Sequence, residues 1–259
     1  MRAPMIVATA HASRADGPLL VLGPSLGSDG AILWELVIPL LRDHYRLVSW
    51  DLPGHGRSPV AAEPFTVGDL ADSVAALAAE LTDQPALYAG VSIGGATALE
   101  LALRHPAQFQ AVALVCSSYR LGGAGWPQTW HDRAELVRTQ STSALIGASA
   151  ERWFTPESIV EHPETTGRLL HALQDADDGS YIRCCEALAA FDLEDRLPDI
   201  RVPLLDVYGE ADATIDRADA ERLVAAVPDA RLVLVPGAAH LGTVDQPVAV
   251  ATALREFFG

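Results

Sequence analysis

Six short apolar, β-rich runs recur along the chain with helical patterns between them, and that rhythm breaks only once. The runs are Pro18–Gly23, Tyr45–Asp51, Ala86–Val91, Ala111–Cys116, Val202–Tyr208 and Arg231–Val235. Short buried strands separated by helix-length connections predict a parallel sheet, because a parallel neighbour is reached only by a crossover. Local signals punctuate the helices. Thr66 can cap a helix that carries Val67, Leu70, Val74, Leu77 and Leu81 on one face, and Pro85 stops it. Pro106 closes a second helix running from Ile93 to His105, and further helices are expected over Arg217–Val227 and Pro247–Phe258. Residues 119–192 keep a helical period, lack any β-branched run and hold three of the five tryptophans. The expected architecture is therefore α/β, a mostly parallel sheet flanked by helices. Its core comprises residues 1–118 and 193–259, and residues 119–192 form a helical insertion, or cap.

Composition narrows the chemistry. With 18 basic and 34 acidic residues the formal charge is −16, which argues against nucleic acid or an anionic membrane as partner, since phosphate binding needs clustered cations. Every basic residue is Arg; the absence of Lys excludes a Schiff-base lysine, a pyridoxal-phosphate site and a Walker A loop. The absence of Asn removes it from any triad or oxyanion hole. Cys116, Cys184 and Cys185 form neither a disulfide framework nor a zinc spacing, and Cys184 and Cys185 read as packing. No metal and no cofactor are expected. The apolar stretch Met5–Ala10 is too short for a signal peptide, and no run approaches the roughly 18 residues of a membrane span, so the expectation is a cytoplasmic protein. The sequence leaves the oligomeric state open.

The motif G-x-S-x-G occurs twice. Gly90-Val-Ser-Ile-Gly94 follows an expected strand and runs directly into an expected helix, the setting in which a serine is forced into a strained, exposed turn. Gly23-Pro-Ser-Leu-Gly27 also follows a strand but leads into loop, so Ser92 is preferred over Ser25 as nucleophile. A serine needs a base, and the base an orienting acid; with this elbow the chain order is serine, acid, histidine. Of eight histidines only His240 follows the last strand. Asp212 follows the strand before it and is the preferred acid; Glu210 is the runner-up, and Asp206 would lie within the strand. His55, in the turn Pro53-Gly-His-Gly56, reads as a structural residue. The second motif has another use: the N–H groups of Leu26 and Ile93 can together receive a developing oxyanion.

With these residues in view the chain resembles the α/β-hydrolase superfamily, through Trp50–Ser58, Gly90–Gly95, Val207–Asp212 and Gly237–Leu241. Within it the chain is similar to the 3-oxoadipate enol-lactonases, through Ser25-Leu-Gly27, Arg152-Trp-Phe-Thr-Pro156, Gly179–Cys185 and Phe191–Leu197. Leu52-Pro53 departs from the Thr-Arg that many such lactonases carry. The resemblance implies hydrolysis of 3-oxoadipate enol-lactone, in the catabolism of aromatic acids, through an acyl-enzyme on Ser92. The partner so implied is a small anionic lactone or ester. Lacking Lys, the chain must anchor the carboxylate by Arg; Arg133 is the candidate, with Trp130 and Trp153 as pocket walls. A broader carboxylesterase or lactonase, or a cofactor-free perhydrolase, would use the same three residues. A non-catalytic ligand sensor on this fold would be expected to lose one of them.

Overall fold

The computed structural model describes residues 3–259. Its strands are β1 (Val7–Ala10), β2 (Leu19–Gly23), β3 (Arg46–Asp51), β4 (Ala86–Val91), β5 (Phe109–Val115), β6 (Leu204–Gly209) and β7 (Ala230–Val235). They form one sheet in the order β1-β3-β2-β4-β5-β6-β7. β2 to β7 are mutually parallel, and β1 runs antiparallel to β3 with Val7 opposite Asp51 and Ala10 opposite Val48. The six sequence runs thus become β2 to β7. The edge strand β1 is an addition: four residues, paired on one side only, leave too short a pattern to read. β2, β4 and β6 are buried along their whole length, which is why they read as unbroken apolar runs rather than alternating ones.

Helices α1 (Gly30–Trp34) and α2 (Ile38–Leu41) follow β2, neither of them expected from sequence, and α3 (Val67–Leu81) and α4 (Ile93–Arg104) flank β4. A reciprocal capping box starts α3: the Asp69 N–H donates to Thr66 Oγ1 at 3.1 Å, and Asp69 Oδ2 accepts the Thr66 N–H at 2.8 Å. α3 packs on α4, and its Leu70 and Val74 are fully buried.

Between β5 and β6 the chain makes α5 (Gln128–Gln140), α6 (Ile146–Trp153), α7 (Pro156–Glu161), α8 (Pro163–Asp175) and α9 (Asp178–Ala189). α10 (Arg217–Ala226) joins β6 to β7, and α11 (Gly242–Asp245) and α12 (Pro247–Phe258) end the chain. The helices of the insertion are held over the carboxyl ends of the strands. Glu35, just after α1, accepts Thr165 Oγ1 at 2.6 Å and Arg168 Nη1 at 2.7 Å, both from α8. On the loop after β3, Gly54 O accepts the Asp177 N–H at 2.9 Å, and the Ala61 N–H donates to Ser180 Oγ at 2.9 Å. Among the described residues no helix is long and apolar enough to cross a membrane.

Candidate active site

Ser92 stands between β4 and α4 with φ 54° and ψ −116°, a backbone conformation that an L-residue rarely adopts and that neighbouring contacts must hold. Small neighbours make it possible. A Cβ at Gly90 would run into the carbonyl of Gly94, and one at Gly94 would lie 2.6 Å from Pro24 O. The close approach at Gly94 also carries a bond, since its N–H donates to Pro24 O at 3.0 Å. The elbow is thereby pinned to the loop after β2.

That loop holds Ser25, Leu26 and Gly27. Ser28 closes it, its Oγ accepting the Ser25 N–H at 3.0 Å and donating to Ser25 O at 2.8 Å. Gly27 has φ +85° and faces Leu173 and the Trp153 ring, so the insertion rests directly on this turn. Among the described residues neither the Leu26 nor the Ile93 N–H has a protein acceptor. Two free amides on segments joined by one hydrogen bond are suited to a developing oxyanion.

His240 lies on the loop after β7, and its Nδ1 is 2.9 Å from Asp212 Oδ2, both side chains being buried. An ionised carboxylate only accepts, so Nδ1 carries the proton and Nε2 keeps its lone pair, the tautomer a general base requires. The other oxygen of Asp212 accepts the Thr214 N–H at 2.7 Å and the Ile215 N–H at 3.3 Å. Loop amides therefore fix the carboxylate, and one oxygen is left for the imidazole. Glu210 instead turns outward toward Arg217 at 3.9 Å, and Asp206 is buried inside β6 with neither oxygen hydrogen-bonded.

The end of β5 links the two loops. Val115 O accepts the Ser92 N–H at 3.1 Å, and Ser117 Oγ donates to Ser92 O at 2.6 Å. Between them the Cys116 thiol donates to Ala239 O at 3.3 Å, next to His240. Serine and imidazole are thus tethered to consecutive residues of one strand end. Cys116 itself takes φ +48°. Sequence reasoning missed this junction, because a cysteine and a serine after a strand carry no motif.

The insertion brings in the remaining candidates. Trp153 O accepts the Leu241 N–H at 2.9 Å, and the Trp153 ring abuts Gly27, so the residue lies between the histidine and Leu26 loops. Trp130 is buried with Nε1 donating to Leu121 O at 2.6 Å, and its ring lies under Arg133, whose Cζ is 5.0 Å from the centroid. Arg152, not singled out from sequence as an anchor, donates to Ser149 Oγ at 3.2 Å. Burial first, and then the neighbouring Arg133 charge, pull its guanidinium down to about 10. Among the described residues neither arginine forms an ion pair with a carboxylate, whereas Arg120, Arg138 and Arg168 of the surrounding surface all do. Tyr181 lies beside both guanidinia and stacks at 6.1 Å on His55. His55 is a buried packing residue in this arrangement: its Nδ1 lies 2.9 Å from Pro53 O, and burial pulls the imidazole down to about 4. Cys184 and Cys185 are buried free thiols, and burial pushes Cys185 up to about 12.

Ser92 is only 3% exposed, and a surface groove of about 630 Å³ beside Met5, Val60 and Leu77 contains none of these residues. Among the described residues no cluster of His, Cys, Asp and Glu could hold a metal ion.

Comparison with known proteins adds four findings. A family model described as the alpha/beta hydrolase fold matches residues 18–247. The chain is 34% identical to 3-oxoadipate enol-lactonase 2 of Acinetobacter baylyi over 236 residues, 91% of this chain and 86% of that one. It is 31% identical to a pimeloyl-[acyl-carrier protein] methyl ester esterase of Aeromonas hydrophila over 253 residues, 94% of this chain and 96% of that one. Among solved structures, the enol-lactonase from Burkholderia xenovorans LB400 superposes with a TM-score of 0.91 at 30% identity, covering 98% of this chain and 96% of that one.

Proposed function

The chain belongs to the α/β-hydrolase family and is a hydrolase of esters or lactones, and from that premise we propose that it opens 3-oxoadipate enol-lactone to 3-oxoadipate. In this reading His240 takes the Ser92 hydroxyl proton as Oγ attacks the lactone carbonyl. Asp212 holds the imidazole in the required tautomer. The Ile93 and Leu26 amides receive the oxyanion. Collapse of the tetrahedral adduct breaks the ring C–O bond and expels an enolate, which takes a proton and settles as the ketone. That tautomerisation makes ring opening hard to reverse. Water, deprotonated by His240, then releases the acid from Ser92.

The observation that carries the anionic lactone, rather than a neutral ester, is the pair of unneutralised guanidinia of Arg133 and Arg152 beside Tyr181. Two partly buried like charges are costly to hold together, and a bound carboxylate relieves that cost. The overall charge of −16 opposes an anion only weakly, because screening confines it to about 8–10 Å at physiological salt. The arginines therefore dominate at the site. Trp130 serves as the bed of Arg133, and Trp153 as a wall between the two loops.

Steady-state kinetics on enzymatically generated enol-lactone and on a neutral ester test this reading. Arg133→Ala and Arg152→Ala are expected to raise KM for the lactone at least about 10-fold, the loss of one charge-assisted contact, and to leave the neutral ester within about 2-fold. Equal effects on both substrates would reject the arginines as the carboxylate contact. A wild-type preference for a methyl ester over the lactone would move the substrate toward that of the esterase relative.

A further inference from the structure

Asp245, the last residue of α11, is buried, and its two oxygens serve different parts of the molecule. Oδ2 accepts the Ala239 N–H at 2.7 Å, one residue before His240. Oδ1 accepts the Thr155 N–H at 3.1 Å, at the residue that caps α7 in the insertion. On the other side of the imidazole the Leu241 N–H donates to Trp153 O at 2.9 Å. Residues 153–155 of the insertion therefore hold the histidine loop at both flanks of His240, directly through Trp153 and through the Asp245 carboxylate.

A buried carboxylate is costly unless its oxygens are occupied, and here both are satisfied by backbone amides. Nothing in the hydrolytic steps uses Asp245. It forms no hydrogen bond with Ser92, Asp212 or the imidazole, and what it joins is the insertion and the histidine loop. We propose that Asp245 is a positioning residue that couples the seating of the insertion to the placement of His240: when Trp153–Thr155 are docked the imidazole is held in register, and when they lift it is released. This rests on the reading of His240 as the base. It goes beyond that reading in making the insertion part of the machinery that aligns the histidine, and not merely a cover.

The test uses the full-length protein with Asp245→Asn, Asp245→Glu and wild type, and p-nitrophenyl acetate, a small neutral ester that needs no arginine anchor. An amide offers one acceptor oxygen where two amide donors wait, so Asn breaks one tie and sets N–H against N–H. Asp245→Asn is expected to lower kcat at least about 10-fold with KM within about 3-fold, and Asp245→Glu, which keeps two acceptors, to recover part of the loss. Amide hydrogen exchange is the second readout: peptides covering 153–160 and 236–246 are expected to exchange faster together in Asp245→Asn, while those of α3 and β4 stay unchanged. An unchanged kcat, a rise in KM alone, or faster exchange in only one of the two peptides would overturn the coupling. If Asp245→Asn fails to fold, Asp245→Glu carries both readouts with the same directions expected. Failure of the base assignment would register separately, as full turnover in His240→Ala, and the exchange measurement would still decide whether the two segments move as one.

Discussion

Asp206 carries a carboxyl group that the fold buries without a single hydrogen bond, opposite Leu114 and Leu232 in the middle of the sheet. Burial pushes its ionisation well above the ordinary carboxylate range, so the group is held neutral where the unfolded chain would be ionised. The native state then binds the extra proton, and stability is undiminished below the unfolded carboxyl value of about 4 and falls as pH rises toward the folded one. Asp206→Val is expected to remove that slope in chemical-denaturation curves taken between pH 5 and 9. It should add about 1–3 kcal/mol near neutrality by deleting an unsatisfied group. A wild-type curve that is flat or rising over this range would contradict the assignment. The same residue illustrates what was legible. Asp206, Glu210 and Asp212 are three acids within seven positions, and the extent of the apolar run Val202–Tyr208 alone separated the one inside the sheet from the two beyond it. Arg152, Asp245 and Cys116 could not be found that way. Cys116 and Asp245 act through partners about 90 residues away or more, and the role of Arg152 depends on Arg133 and Tyr181, which other helices of the insertion supply.

At the scale of elements, α3 shows how much a local signal can specify. Thr66 and Asp69 cap it reciprocally, and its apolar face was readable from spacing. Replacing Thr66 with Ala is expected to cost about 1 kcal/mol, read as a lowered melting temperature with kcat unchanged, since the helix start lies away from Ser92. No loss of stability would show that the box contributes nothing net. The strands β2 to β6 were legible for a related reason: they are largely buried on both faces, and continuous apolar runs bounded by Gly, Pro and Asp have few alternatives; β7, at the sheet edge, was read from its apolar run alone. β1, α1 and α2, at four or five residues each, fall below the length at which a period shows. In the insertion the helical character was legible but the bounds were not. α6, α7 and α8 follow one another almost without loops, with Pro156 and Pro163 starting two of them. Their seats on Glu35, Gly54 and Ala61 are tertiary contacts that no local pattern encodes.

At the scale of the molecule, one sheet brings together loops that are far apart in sequence: the Leu26 turn after β2, the elbow after β4, Cys116 after β5, Asp212 after β6 and His240 after β7. All leave the carboxyl ends of parallel strands, where such a fold gathers its ligands. The insertion covers that edge and adds Arg133 and Arg152, neither paired with a carboxylate among the described residues. Net charge says little about the substrate, because surface charge is screened within about 8–10 Å while Arg133 and Arg152 stand apart from any carboxylate ion pair among the described residues. Every role proposed for these loops depends on Ser92 being the nucleophile. Steady-state hydrolysis of a neutral ester by Ser92→Ala and Ser25→Ala, beside wild type, tests it most directly. The prediction is a fall in kcat/KM of about 10³-fold or more for Ser92→Ala and little change for Ser25→Ala. Turnover that survives in Ser92→Ala and disappears in Ser25→Ala would contradict it.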